Sequence, residues 1–212
     1  MEITKYDSLI FDMDGTLWDA ADLYAASWNR SFDKHKLDLY LSRTDICALT
    51  GLERKALIDR VMPGYRESIC DQVIADVEVF TRELIPERGG KLYDDVHSGL
   101  KELSKLYKIF IVSNCDAQVI RLFMDWANIN DFITDEFAHG VNFKPKNHNI
   151  RLLIDKYNLQ HPIYIGDTDG DSQQSELAGI PFAFVSYGFG ETSAYHLKFD
   201  SFKALTSHFL AG

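Results

Sequence analysis

The sequence predicts an α/β protein, a doubly wound parallel sheet that carries an inserted set of helices. Three observations predict it. Short apolar runs recur at Leu9-Ile10-Phe11, Ile109-Phe110-Ile111-Val112, Ile163-Tyr164-Ile165 and Phe182-Ala183-Phe184-Val185, the pattern of strands buried on both faces. Stretches of helical period separate the last three, and that alternation places helices over both faces of a parallel sheet. About ninety residues lie between the first run and the second, far beyond the dozen or so of a simple crossover.

The interval after the first strand is helical. Tyr24, Trp28 and Phe32 recur every fourth residue, Leu57, Ile58 and Val61 share a face, and Ile69, Val73, Val77, Phe80 and Leu84 form a longer stripe. These are the apolar faces of amphipathic helices. Pro86-Glu87-Arg88-Gly89-Gly90 reads as the linker that closes the insert. A helix over 94–107 then groups Val96, Leu100, Leu103 and Tyr107. One over 118–126 groups Val119, Ile120 and Phe123. One over 148–157 groups Ile150, Leu153, Ile154 and Tyr157. A further strand is expected at Phe132-Ile133-Thr134. The division predicted is a core of residues 1–17 and 92–212 around a helical insert of 18–91.

Composition narrows the function. The chain has 212 residues, 46% of them hydrophobic, so it can bury a substantial core. A net charge of −10 argues against a nucleic-acid surface, and it requires a locally positive pocket or a bound cation for any anionic substrate. The N-terminal residues lack the basic and apolar pattern of a leader, and no apolar run is long enough to span a membrane. Cys47, Cys70 and Cys115 form no metal pattern and cannot all pair, which fits a cytoplasmic protein. His139 and His148 lack metal-ligand spacing.

Ligands of doubly wound sheets bind beyond the carboxyl ends of the strands, so the residues that follow each strand carry the chemistry. These are Asp12-Met13-Asp14-Gly15-Thr16, Ser113-Asn114 and Gly166-Asp167-Thr168-Asp169-Gly170-Asp171, with Phe143-Lys144-Pro145-Lys146 between the last two. Asp12 and Asp14 point to one side if the strand continues through them. A carboxylate such as Asp12 can attack phosphorus. Neighbouring carboxylates repel, and a hard cation with oxygen ligands relieves this, with Asp167 as a further ligand. Mg2+ suits such a set better than zinc. Gly15 and Thr16 allow a turn whose amides face an oxyanion. Ser113-Asn114 and a lysine, Lys144 or Lys146, would hold the transferring oxygens.

Plainer readings stand beside these. Asp-x-Asp-Gly is ordinary turn chemistry, and Ser113-Asn114 can cap the following helix. The Asp167–Asp171 run resembles part of a calcium loop but lacks its closing Glu. Cys115 has no nearby His to activate it. Gly188-Phe189-Gly190 is too sparse for a phosphate loop.

Taken in order, Asp12-Met13-Asp14-Gly15-Thr16, Ser113, Lys144 and Gly166-Asp167 with Asp171 resemble the four motifs of the haloacid dehalogenase superfamily over nearly the whole chain. The insert resembles the helical cap of its phosphoglycolate phosphatase and β-phosphoglucomutase branch. The resemblance implies a Rossmann-like core with Asp12 as nucleophile and Asp14 as general acid and base. It also implies Mg2+ held by the Asp12 carboxylate, the Asp14 carbonyl and Asp167, with Asp171 orienting the lysine or metal-bound water. Lys144 precedes Pro145 and sits at the family spacing, although Asn147 stands where the branch often has proline. Asp14 favours a phosphatase over a dehalogenase, because a leaving alkoxide needs a proton. Gly51, Arg54 and Lys55 resemble the branch's specificity loop. The expected activity is hydrolysis of a small phosphorylated metabolite, with a sugar-phosphate mutase, a pyrophosphatase or a non-catalytic phosphate-binding protein as rivals. The oligomeric state is left open.

Overall fold

The computed structural model describes residues 6–52 and 54–211; most of the N-terminal run read for a leader lies outside them. The chain divides into two compact units, Met1–Asp19 with Lys91–Gly212, and Ala20–Gly90. In chain order, the first unit opens with β1 (Ser8–Phe11) and β2 (Trp18–Asp19). The second unit follows with α1 (Ala21–Lys34), α2 (Arg43–Leu49), α3 (Arg54–Val61) and α4 (Glu67–Arg88). The first then resumes with β3 (Lys91–Leu92), α5 (Val96–Leu103), β4 (Lys108–Ser113), α6 (Val119–Ala127), β5 (Asp135–Ala138), α7 (Lys146–Tyr157), β6 (Pro162–Gly166), α8 (Asp169–Ala178), β7 (Phe182–Val185), β8 (Leu197–Phe199) and α9 (Phe202–Leu210).

Six strands form one sheet in the order β5-β4-β1-β6-β7-β8, and every pairing in it is parallel. The most apolar strands are central, as burial on both faces demands. Phe11 lies beside Ile111 on one flank and Ile165 on the other, so the residues that follow these strands share one rim. The chain runs from β1 to β4 and β5 on one side and returns to β6 on the other. Asp12 therefore stands at the switch point, where the loops diverge and leave a crevice. Side chains alternate along each strand. Ile10, Phe110, Val112, Tyr164, Phe182 and Phe184 pack with Ile150 and Leu153 of α7. Phe11 faces the other way and stacks on Phe202 of α9, ring centroids 5.9 Å apart.

In the second unit, α1 and α4 pack along their lengths. Trp28 and Phe32 of α1 and Val73, Val77 and Phe80 of α4 are buried, the Ser31 hydroxyl donates to the Val73 carbonyl at 2.9 Å, and the Arg30 guanidinium lies 3.9 Å from the centre of the Phe80 ring.

Two expectations need correction. Phe132 belongs to a 3-10 turn, Asn130–Phe132, and the strand begins at Asp135. As an edge strand, β5 is only half-buried along most of its length and needs no apolar run to mark it. Pro86 lies inside α4 rather than in a linker. Burial of Ile85 and Thr81 carries the helix past the one backbone bond that Pro86 cannot make. The helix stops at Gly89, whose φ is +59°.

The α5–α9 contact gives a prediction with an unusual sign. Replacing a helical glycine by alanine ordinarily stabilises by up to about 1 kcal/mol. A Cβ on Gly99 would lie 2.6 Å from the buried Phe202 ring and 2.4 Å from the Thr206 hydroxyl. Gly99→Ala is therefore expected to destabilise by about 1–3 kcal/mol, measured by urea unfolding.

Candidate active site

The first side chain of the site is fixed by the sheet itself. The Asp12 amide donates to the Ile165 carbonyl at 2.8 Å, so the β1–β6 ladder extends one residue and aims Asp12 from the strand end. The chain then turns tightly. The Met13 carbonyl accepts from the Leu17 amide at 2.9 Å and from the Thr16 and Trp18 amides at 3.3 Å, and the Gly15 amide donates to the Trp18 carbonyl at 2.9 Å. Gly15 has φ +84°, and a Cβ there would sit 2.2 Å from Asp167 Oδ2. Only glycine meets both demands. The Gly15 and Thr16 amides, expected to face an oxyanion, are thus used within the turn. The Thr16 hydroxyl lies 3.4 Å from Asp167 Oδ1.

Asp167 follows β6 and is fully buried. The Phe189 amide donates to its Oδ2 at 2.7 Å, and Gly188 passes so close that a Cβ would fall 2.4 Å from the carboxylate. Asp171 opens the first turn of α8. Its Oδ2 accepts from the Thr168 hydroxyl at 2.7 Å and the Thr168 amide at 3.1 Å, while its own amide donates back to that hydroxyl. This capping box anchors Asp171 to the start of the helix. Its other oxygen faces Lys146, whose Nζ is 2.7 Å away, and the same Nζ is 2.8 Å from Asp12 Oδ1. The Tyr164 hydroxyl donates to the Val112 carbonyl at 3.1 Å and lies 3.4 Å from Asp171 Oδ1.

The electrostatics follow from burial. Burial pushes the Asp12 carboxyl well above its ordinary range against the pull of Lys146, and the charges of Asp171 and Asp167 add to the rise. Burial and Asp171 raise Asp167 to about 7, against the Phe189 amide and Lys146. Burial works against the Lys146 charge, but Asp12 and Asp171 outweigh it and hold the ammonium protonated. Oxygens of Asp12, Asp167 and Asp171 lie within 4.8 Å of one another. With one ammonium among three carboxylates, the fully ionised cluster has two negative charges in excess. An all-oxygen set with that excess could hold a hard divalent cation. Asp171 is already committed to Lys146 and to its helix cap, which leaves Asp12 and Asp167 as the carboxylates better placed for it.

The lysine expectation is corrected here. Lys144 is exposed. Its amide donates to Asn142 Oδ1 and its carbonyl takes His139 Nδ1 at 2.9 Å, in a turn where Phe143 has φ +57°. Lys146 is the first residue of α7, after Pro145, and is 5% exposed. It shares the inward face of Asn149, Ile150 and Leu153. Extending the Ile150–Leu153 stripe back one turn reaches Lys146 and passes over Lys144; that periodicity is the signal that finds it.

Ser113 is buried at the end of β4, on the same rim. Asn114 is exposed, and α6 begins only at Val119, so this pair does not cap that helix. The neighbouring Cys115 thiol is pushed up by burial, which disfavours its thiolate. In the second unit, Gly51 is an exposed turn residue with φ +83°. Arg54 pairs with Asp71 and Lys55 with Asp59, each at 2.6 Å. Both cations are thus engaged by carboxylates of their own unit. Glu53, within the same run, lies outside the described residues.

Three residues of the site had no motif to announce them. Trp18 donates its indole N–H to Asp14 Oδ1 at 2.9 Å, while Gly188 and Phe189 wrap Asp167. The glycine pair 188/190 was visible in sequence, but its role is to let backbone approach a carboxylate, which no spacing rule encodes. No helix among the described residues is long and apolar enough to cross a membrane.

The haloacid dehalogenase-like hydrolase family matches residues 9–185, and the chain belongs to it. It is 25% identical over 190 residues to a phosphoglycolate phosphatase of Aquifex aeolicus, covering 85% of each chain. It is 26% identical over 191 residues to the pyrophosphatase PpaX of Bacillus velezensis, covering 86% of this chain and 84% of that one. The fold matches that of a haloacid dehalogenase-like family protein from Streptococcus pneumoniae with a TM-score of 0.84 at 18% identity, over 98% of this chain and 100% of the other.

The two lysines separate in stability. Lys146→Met leaves Asp12 and Asp171 buried without their cation and is expected to cost about 3–5 kcal/mol. Lys144→Met, on the surface, is expected to stay within about 0.5 kcal/mol of the parent. Chemical denaturation of the two variants checks the difference.

Proposed function

We propose that the protein is a cytoplasmic, Mg2+-dependent phosphatase that hydrolyses a small phosphate monoester through an aspartyl-phosphate on Asp12. The observation that carries this reading is the buried Asp12 carboxylate at the sheet switch point. Lys146 holds its Oδ1, and Asp167 stands close by. Among the described residues, only Lys146 bonds the Asp12 side chain, which leaves Oδ2 to attack phosphorus. Lys146 fixes the carboxylate's orientation and, as an ammonium, favours an incoming phosphate. Ser113, on the neighbouring strand end, would donate to a transferring oxygen. Asp14 would protonate the leaving oxygen and later take a proton from the attacking water.

Mg2+ suits the hard oxygen donors of Asp12, Asp167 and the Asp14 carbonyl, and when bound it would neutralise phosphate charge. The resemblance to relatives named phosphoglycolate phosphatase supports a monoester substrate. The similar identity to PpaX keeps inorganic pyrophosphate as a second reading, since the same carboxylate could attack either phosphorus. Asp14 supports hydrolysis of an oxygen ester over carbon–halogen cleavage.

The test is phosphate release from a panel of phosphorylated metabolites and from pyrophosphate, with Mg2+ and with a chelator. Turnover is expected with Mg2+, and Asp12→Asn is expected to lower kcat by at least about a thousandfold. Wild-type turnover in Asp12→Asn would remove the nucleophile assignment. Absence of turnover with every phosphate would favour a non-catalytic phosphate-binding protein.

A further inference from the structure

We propose that Trp18 is a positioning residue for Asp14, fixing which of its carboxyl oxygens carries the proton delivered to the leaving group. The inference rests on the phosphatase reading and deepens it. The Trp18 indole N–H donates to Asp14 Oδ1 at 2.9 Å. An indole N–H donates and cannot accept, and in a carboxylic acid the carbonyl oxygen accepts far better than the protonated one, so a donor held on Oδ1 favours the proton on Oδ2. The acid form of Asp14 therefore carries its proton on Oδ2. In a general acid this decides function, because only the oxygen turned to the substrate can deliver.

The indole is held firmly enough for that role. Trp18 is fully buried. Its ring centroid lies 4.7 Å from Phe123 and 5.7 Å from Trp126 of α6. Its backbone is tied on both sides. The Trp18 carbonyl accepts from Gly15 at 2.9 Å, a β-bridge joins Asp14 to Trp18, and Trp18 pairs with Leu92 in the β2–β3 ribbon. Asp14 and the indole are thus two ends of one five-residue turn closed on itself. Such closure holds Asp14 to one orientation, which is the geometric requirement for proton transfer.

Asp12 Oδ2 forms a bond to phosphorus as the bond from phosphorus to the leaving oxygen breaks. That bond's electron pair goes to the leaving oxygen, which takes the proton from Asp14 Oδ2. Asp14 is left as a carboxylate whose Oδ1 still accepts from Trp18. It regains a proton from the water that then attacks phosphorus, as the bond from phosphorus to Asp12 Oδ2 breaks and its electron pair restores the Asp12 carboxylate.

The experiment compares Trp18→Phe, which keeps an aromatic ring and removes the N–H, with wild type on two phosphates of similar shape. Phenyl phosphate needs its leaving group protonated; dinitrophenyl phosphate does not. The reading is kcat/KM, which reports phosphoryl transfer to Asp12. Trp18→Phe is expected to lower it about tenfold or more on phenyl phosphate, part of what general acid catalysis supplies, and by less than about twofold on dinitrophenyl phosphate. Both values come from one preparation, so their ratio is independent of the fraction folded. Should Trp18→Phe fail to fold, the benzothiophene isostere of tryptophan at position 18 removes the N–H while keeping the ring shape, and the same ratio is read. An equal loss on both phosphates, or none on either, overturns the role of Trp18. Asp14→Asn separates the two levels. If it shows the leaving-group dependence and Trp18→Phe does not, Trp18 alone is refuted. If wild type hydrolyses neither aryl phosphate nor any phosphate of the metabolite panel, the phosphatase reading falls and this inference falls with it.

Discussion

The buried ammonium of Lys146, shared between Asp12 and Asp171 at 2.8 and 2.7 Å, is the interaction on which the rest of the site depends. Three carboxylates cannot be buried within a few ångströms of one another without compensation. Among the described residues, Lys146 is the one protein cation bonded to them. Its placement is not local. The lysine comes from the first turn of α7, Asp12 from the end of β1 and Asp171 from the first turn of α8. The pair of contacts therefore ties the start of two helices to the central strand.

The fold supplies each requirement of that arrangement by ordinary means. Parallel pairing of β1 with β4 and β6 brings three strand ends to one rim. The Thr168–Asp171 capping box satisfies one Asp171 oxygen and leaves the other for Lys146. Gly15 and Gly188 let backbone approach Asp167 from two sides, and the Phe189 amide meets the carboxylate there. The remaining charge imbalance is what a divalent cation would offset, and the oxygen donors of the cluster would suit a hard one. Trp18 extends the logic to Asp14 by a neutral donor, which fixes orientation without adding charge.

Much of this was legible in the sequence, and the exceptions have physical causes. The four central strands stood out because burial on both faces requires continuous apolar runs. The edge strands β5 and β8 did not, because half-exposed edges carry mixed sequences such as Asp135-Glu136-Phe137-Ala138. α8 was hidden because the residues it buries are Asp171, Ser172 and Ser175, polar groups turned to capping and to the site rather than to an apolar core. Asp12, Asp14 and Asp167 were readable as carboxylates just beyond strands. Lys144 sits at the family's motif spacing, whereas Lys146 lies on the inward helical stripe with Ile150 and Leu153, and the two signals point to different lysines. Trp18, Gly188 and Phe189 act through contacts that depend on tertiary approach, which no local pattern records.

The central claim is that Asp12 is the group that takes the phosphoryl. The most direct measurement is to quench the protein during turnover of a phosphate substrate and reduce it with borohydride, which converts an acyl phosphate of aspartate to homoserine. Peptide mass spectrometry then locates the product. The account predicts homoserine at position 12, dependent on substrate and absent from unreacted protein. Labelling at Asp14 or Asp167 instead, or turnover with no reducible adduct under conditions that trap an aspartyl-phosphate, would contradict it.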